Sequence, residues 1–303
     1  MSLRSSSFVL SLLVVAALPA EAKVKVVATT ATLAALAKDV GGLDVEVVPL
    51  LDGHVDPHVA SGTPAMVAAL EPAELLVVNG LGLESGWLPQ VLAQVKNPKL
   101  AAGGAGVLDA STLIVKLDAP APEGAADAGN HPAGNPHYLL DPLSAARVAH
   151  GIAERLAVIA PAAGPKVRER ATFIAAKLEE KARLAHAEVA RKVPAERRRV
   201  AEVHRVLAYL APTLGIEVVA VLEPRPGVPL DATRAAEAAA KLKQCGATAL
   251  IVLENGPRPT ARELAKASGA RLAVVPGGPR LVGDTFLTLS ERTTNAVLAG
   301  LGI

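Results

Sequence analysis

Three histidines carry the chemistry this chain can do: His58, His137 and His204. Two of them share one short frame, Asp56-Pro57-His58 and Asn135-Pro136-His137. Proline fixes its own φ and drives the residue before it out of the helical region, so each imidazole follows a rigid, non-helical dipeptide. A chain can aim a side chain from a loop in this way. His204 closes a run that reads as a strand. Three neutral imidazoles suit a borderline metal such as zinc, which takes nitrogen ligands at about 2.0 to 2.1 Å in tetrahedral geometry; a manganese site uses more carboxylate. The other four of the seven histidines have plainer readings. His150 and His186 sit in predicted helices among charged neighbours, and His54 and His131 lie in polar loops with nothing to aim them.

The elements that must position these side chains follow from periodicity. Lys23 to Thr30 reads as a strand, Ala31 to Val40 as a helix stopped by Gly41-Gly42, and Val45 to Leu51 as a strand whose end delivers His58. Ser61 to Leu70 is a predicted helix with Thr63 as N-cap and Pro64 in its first turn. Leu75 to Val78 is a strand closing in Asn79-Gly80. Such β-α-β alternation implies a mostly parallel sheet with helices on both faces, and ligands bind such sheets at the carboxyl ends of their strands. Trp87-Leu88 opens another helix and Leu113 to Val115 is a predicted strand. Residues 118–136 are loop by composition and end in Asn135-Pro136-His137, after which Asp141-Pro142 starts a helix to about Ile159.

Pro165 to Val193 is the longest helical pattern, with Val167, Ala171, Ile174, Leu178, Ala182, Ala185 and Val189 on one face. It would be about 43 Å long, enough to cross a domain. Beyond it the pattern restarts: strand Arg199 to Val203, helix Arg205 to Leu214 stopped by Gly215, strand Ile216 to Leu222. Val26 and Gly41 match Val200 and Gly215 at one offset, and Leu75-Leu76-Val77-Val78-Asn79-Gly80 is echoed by Ile251-Val252-Leu253-Glu254-Asn255-Gly256. The expected fold is therefore α/β: two doubly wound lobes with mostly parallel sheets, residues 23–163 and 194–303, joined by a rigid helix over 164–193.

Composition removes several function classes. Lys plus Arg total 31 against 29 Asp plus Glu, which leaves no basic footprint for nucleic acid. Aromatic residues are 2% of the 303, too few for stacking platforms. Residues 1–22 read as an export signal, with Arg4, an apolar run from Phe8 to Leu18, and an Ala20-Glu21-Ala22 cleavage site. That run is short for a membrane span. No cysteine stands near the cleavage point for lipid attachment, and the sole cysteine, Cys245, has no disulfide partner within the chain. The expectation is a cleaved, exported protein with no membrane anchor.

Taken together, Asp56-Pro57-His58, the Leu75 to Glu84 run with Trp87-Leu88, Asn135 to Pro142, His204 with Tyr209, and Glu223-Pro224-Arg225-Pro226-Gly227 are specific. In these motifs the chain resembles the periplasmic zinc- and manganese-binding solute-binding proteins of ABC importers, the cluster A-I family of ZnuA- and TroA-like receptors. The resemblance runs through almost all of the mature chain. It implies two lobes, one long helix and a metal site in the cleft, with His58 and His137 as first-lobe ligands and His204 as the third. Manganese-type relatives carry glutamate at the third place, so His204 favours zinc. Family members commonly add an aspartate in the loop after the last strand. Here Asp284 comes later than expected, where it also reads as an N-cap, and Glu254 at a strand end is the other candidate, as ligand or as acceptor for a histidine N–H. A water is the third option for that place. The histidine-rich loop of many zinc receptors is missing, with His131 alone in its position.

The resulting expectation is a monomeric periplasmic receptor that captures Zn(II) with His58, His137 and His204 and delivers it to an ABC permease in the inner membrane, not an enzyme. A manganese or iron receptor of the same family is the alternative. From a different class, an exported zinc hydrolase would need a general base, for which Glu254 or Asp284 is the nominal choice. No H-E-x-x-H or Gly-x-Ser-x-Gly motif supports that reading.

Overall fold

A computed structural model describes residues 22–101, 104–118, 133–223, 232–279 and 283–303. The export segment, except Ala22, lies outside the described residues, as do His131 and most of the 118–136 loop.

Strands β1 (Val24–Thr30), β2 (Val45–Leu51), β3 (Leu75–Val78) and β4 (Val107–Asp109) form one sheet in the order β2-β1-β3-β4. Strands β5 (Arg199–Glu202), β6 (Glu217–Val221), β7 (Ala249–Leu253) and β8 (Arg271–Val275) form a second in the order β6-β5-β7-β8. Every pairing is parallel. The second order repeats the first, and the registers agree: Val26 pairs with Leu75 and Val200 with Ala249, at one and the same offset. The restart read from the sequence is a repeat of the topology.

Alternation along the strands accounts for helices on both faces. Val26, Ala28, Leu75 and Val77 point into one core cluster, while Val27 and Leu76 point into another. In the second sheet Val200, Ala249 and Ile251 face one cluster and Ala201, Leu250 and Val252 the opposite one. Period-two exchange between two apolar faces is what a strand buried on both sides requires.

The helices are α1 (Ala31–Gly41), α2 (Pro64–Leu70), α3 (Leu88–Leu92), α4 (Pro142–Ile159), α5 (Gly164–Lys192), α6 (Leu210–Leu214), α7 (Ala232–Cys245), α8 (Arg258–Ser268) and α9 (Phe286–Leu301). Several starts are capped as their sequences dictate. Thr63 Oγ1 accepts from Met66 N ahead of Pro64, and the Asp141 carboxylate accepts from Ser144 N ahead of Pro142. The 29-residue α5 is seated in both cores: Val167, Ala171, Ile174, Ala175 and Leu178 enter the first, Ala185 and Val189 the second. Among the described residues, no helix is long and apolar enough to cross a membrane.

Two element expectations are corrected. Leu113 to Val115 is not a strand; the strand is Val107–Asp109, and Ala110–Leu113 turns as a 3-10 helix capped by the Asp109 side chain. The helix expected over Arg205 to Leu214 contracts to Leu210–Leu214. The backbone N–H groups of Val206 and Leu207 are taken instead by the buried Glu202 carboxylate, at 2.9 and 2.8 Å.

Candidate metal centre

Each X-Pro-His turn is locked by the residue that opens it. Asp56 Oδ1 accepts from His58 N at 3.0 Å, and Asn135 Oδ1 accepts from His137 N at 2.9 Å, so both are Asx turns. The shared frame therefore has two parts, a proline that fixes φ and a short acceptor that closes the turn. Trp87 Nε1 donates to Pro57 O at 3.2 Å, and Asn79 Nδ2 to Pro136 O at 3.0 Å. Asn79 is itself held: Tyr138 OH donates to its carbonyl at 2.7 Å, and Asn79 N donates to the buried Glu84 carboxylate at 2.8 Å. His204 follows β5 after Val203, on the turn closed by Glu202.

These three turns, at the carboxyl ends of β2 and β5 and ahead of α4, bring the three imidazoles together. Ring centroids stand 5.3 Å apart for His58 and His137, 5.0 Å for His58 and His204, and 4.8 Å for His137 and His204. One nitrogen from each lies within 4.8 Å of the others, and His137 Nε2 is 2.9 Å from His204 Nε2. His58 and His204 are each 14% exposed, enough to be reached from the cleft and little enough to be fixed by their surroundings.

Behind the ring of imidazoles stand two carboxylates. Glu223 Oε2 lies 2.7 Å from His204 Nδ1, and Asp56 Oδ1 lies 2.8 Å from His58 Nδ1. A carboxylate on Nδ1 makes that nitrogen the N–H and turns the Nε2 lone pair toward the cleft, the arrangement common behind metal-binding histidines. Burial pushes the Asp56 carboxyl up, but hydrogen bonds from the His58 ring and backbone outweigh it and hold Asp56 below the usual carboxylate range. The cleft is lined further by Thr30, Asn79, Val252, Asn255, Gly277 and Phe286, and no lysine or arginine is among its described lining residues.

For the fourth corner the sequence offered Asp284, Glu254 or a water. Among the described residues, no carboxylate joins the three-histidine group. Asp284 is drawn aside to Arg292, whose Nη2 donates to its Oδ2 at 2.9 Å. It is not the N-cap of α9 either: Thr285 is, in a reciprocal capping box with Thr288. Glu254 does not line the cleft, and the acceptor role considered for it belongs, at His204, to Glu223. Sequence reasoning had Glu223 only as part of a motif. Its signal was its place after β6, the strand that corresponds to the one delivering His58. His54, His150 and His186 are exposed, as their contexts suggested.

Two parallel sheets, one helix seated in both cores, and a polar site where the strand ends of both lobes meet define a two-lobed cleft-binding protein. A family profile for zinc-uptake complex component A, periplasmic (ZnuA), matches residues 26–299, and the chain belongs to that family, whose members are substrate-binding proteins of metal uptake and not enzymes. The zinc-binding lipoprotein AdcA of Streptococcus pneumoniae is 22% identical over 287 residues, which is 92% of this chain and 56% of AdcA. The manganese-binding lipoprotein MntA of Bacillus subtilis is 32% identical over 95 residues, 31% of each chain. The matches thus span about half or less of the curated relatives. Among solved structures, FpvC of Pseudomonas aeruginosa in complex with Mn2+ superposes with a TM-score of 0.78 at 20% identity, covering 93% of this chain and 99% of that one. A crystal structure of ZnuA gives 0.74 at 21% identity, covering 92% and 99%. These likenesses establish the fold.

Proposed function

We propose that this chain is an exported receptor that captures Zn(II) with His58, His137 and His204 and delivers it to an ABC permease. The observation that carries this is the convergence of three imidazole nitrogens within 4.8 Å of one another, from turns in both halves of the chain. The donor set argues for zinc over manganese, because hard manganese prefers oxygen and no carboxylate stands in the group among the described residues. A water is the fourth ligand in this reading, since Asp284 is engaged by Arg292. Two lobes, residues 23–163 and 194–303, with 164–193 as the linking helix, form a monomeric receptor that acts in the periplasm after cleavage near Ala22.

The test is metal analysis of the purified protein after competition among zinc, manganese and iron, with His137→Ala in parallel. Zinc is expected at one ion per chain in the wild type. The variant is expected to lose more affinity than the roughly 10–100-fold typical of an outer hydrogen-bond partner. Preferential manganese retention, or equal zinc affinity in the variant, overturns the reading.

A further inference from the structure

Asn135 is wholly buried, and every polar group it carries is engaged. Its backbone N donates to Leu117 O at 2.8 Å, and its backbone O accepts from Tyr209 OH at 3.0 Å. In the side chain, Oδ1 accepts from His137 N at 2.9 Å, while Nδ2 donates to Arg205 O at 2.9 Å and to Asp118 Oδ2 at 3.2 Å. The amide orientation follows from its partners, because His137 N only donates and Arg205 O only accepts. One rigid planar group therefore grips the backbone of the His137 turn with one arm and, with the other, the carbonyl of Arg205, the residue after His204.

The surroundings reinforce this grip. Arg205 forks onto Asp118, Nε to Oδ2 at 2.6 Å and Nη2 to Oδ1 at 2.9 Å. Asp118 holds a left-handed backbone, φ 56°, which aspartate tolerates and which aims its carboxylate at both Asn135 and Arg205. The same Tyr209 hydroxyl that donates to Asn135 O accepts from Leu117 N at 3.0 Å. The His58 turn has its own contacts: Asp52 Oδ1 accepts from His54 N, Asp56 Oδ1 accepts from His58 N, Trp87 Nε1 donates to Pro57 O, and the Gly53 backbone lies against Gly277 and Gly278.

We propose that Asn135 is a positioning residue across the cleft: its amide ties the His137 turn to the His204 turn, so these two imidazoles are a preassembled pair that His58 completes. The proposal rests on reading the histidines as the metal site.

The test is Asn135→Asp, which keeps the acceptor for His137 N but sets a carboxylate oxygen against Arg205 O and Asp118. The first-lobe turn survives and the tie across the cleft is lost. Zinc release into a chelator, followed by stopped flow, is expected to accelerate by roughly 10–100-fold. The control is Thr213→Val, which removes a different contact between the halves, Thr213 Oγ1 to Asp141 Oδ1 at 2.7 Å, and is expected to lower thermal stability without changing release. Independently of metal, nitroxide labels at Ala68→Cys and Ala267→Cys in a Cys245→Ser background report the separation of the two halves. A single narrow distance is expected in metal-free wild type and a broadened one in Asn135→Asp. Unchanged release and unchanged distances in folded Asn135→Asp overturn the proposal, and so does a broad or two-peaked distribution in the wild type, which remains decisive if the variant does not fold. Failure of the wild type to bind zinc sinks the metal reading instead, and the label distances still decide the tie.

Discussion

His137 Nε2 and His204 Nε2 lie 2.9 Å apart although 67 residues separate them in the chain. A contact this short between two imidazole nitrogens needs a hydrogen between them, with one ring as donor and the other as acceptor. The shared hydrogen sits where a metal bound to both would sit. Zinc on both Nε2 atoms therefore needs the donor ring to carry its hydrogen on Nδ1 instead, a change of tautomer that releases no proton from a pair of neutral imidazoles. Zinc titration calorimetry in buffers of different ionisation enthalpy is expected to give the same binding enthalpy in each; an enthalpy that varies with the buffer shows that a proton leaves.

The carboxylate at 2.7 Å from His204 Nδ1 fixes which nitrogen faces the cleft. Glu223→Gln keeps the size and an acceptor but removes the charge and leaves an N–H group able to face the ring. Zinc affinity is expected to fall by roughly 10–100-fold, with the circular dichroism spectrum unchanged. Chelator competition reads it, and an unaltered dissociation constant removes Glu223 from the site.

Glu202 ties stability to pH. Burial raises its carboxyl from 4.5 to about 7, against hydrogen bonds from Leu207 N and Val206 N, and Oε1 has no partner among the described residues. A carboxyl raised on folding stabilises the protein fully below its unfolded value, and that contribution is lost as pH rises through its folded value. Metal-free wild type is thus expected to lose stability relative to Glu202→Gln between about pH 4.5 and about pH 7, by up to about 1.4 kcal/mol per pH unit, and to level off above. Urea denaturation of both proteins across that range is the measurement, and parallel pH profiles contradict it.

Phe286, the first residue of α9, is fully buried in the cluster of the first sheet, and its backbone N donates to Asp39 Oδ2 of α1 at 2.7 Å. The last helix thus pins the two halves together. Phe286→Ala is expected to cost about 3–5 kcal/mol. Denaturant unfolding tests it, and a cost under about 1 kcal/mol means the side chain is not part of a closed core.

Much of this protein is legible in its sequence because the deciding interactions are local. Thr63-Pro64 and Asp141-Pro142 start their helices through side chains that reach backbone groups three residues on, and Gly215 ends α6 with φ 69°. The α5 stripe is a matter of helical spacing. The two X-Pro-His turns close on an acceptor two residues back, so even their rigidity is written in three letters.

What the sequence did not hold was the pairing of distant groups. That His204 is backed by Glu223 and not Glu254, that Asp284 turns to Arg292, and that Asn135 reaches Arg205 O depend on which strand ends the two sheets bring into one cleft. The shortened α6 has the same cause: Glu202 is buried against the turn after β5, and a buried carboxylate must take its hydrogen bonds from whatever backbone lies near, here the N–H groups a longer helix would have used. The sequence alone determined three histidines on three stiff or strand-end turns. Only the tertiary structure decided what stands behind and between them, because packing sets which buried polar groups meet.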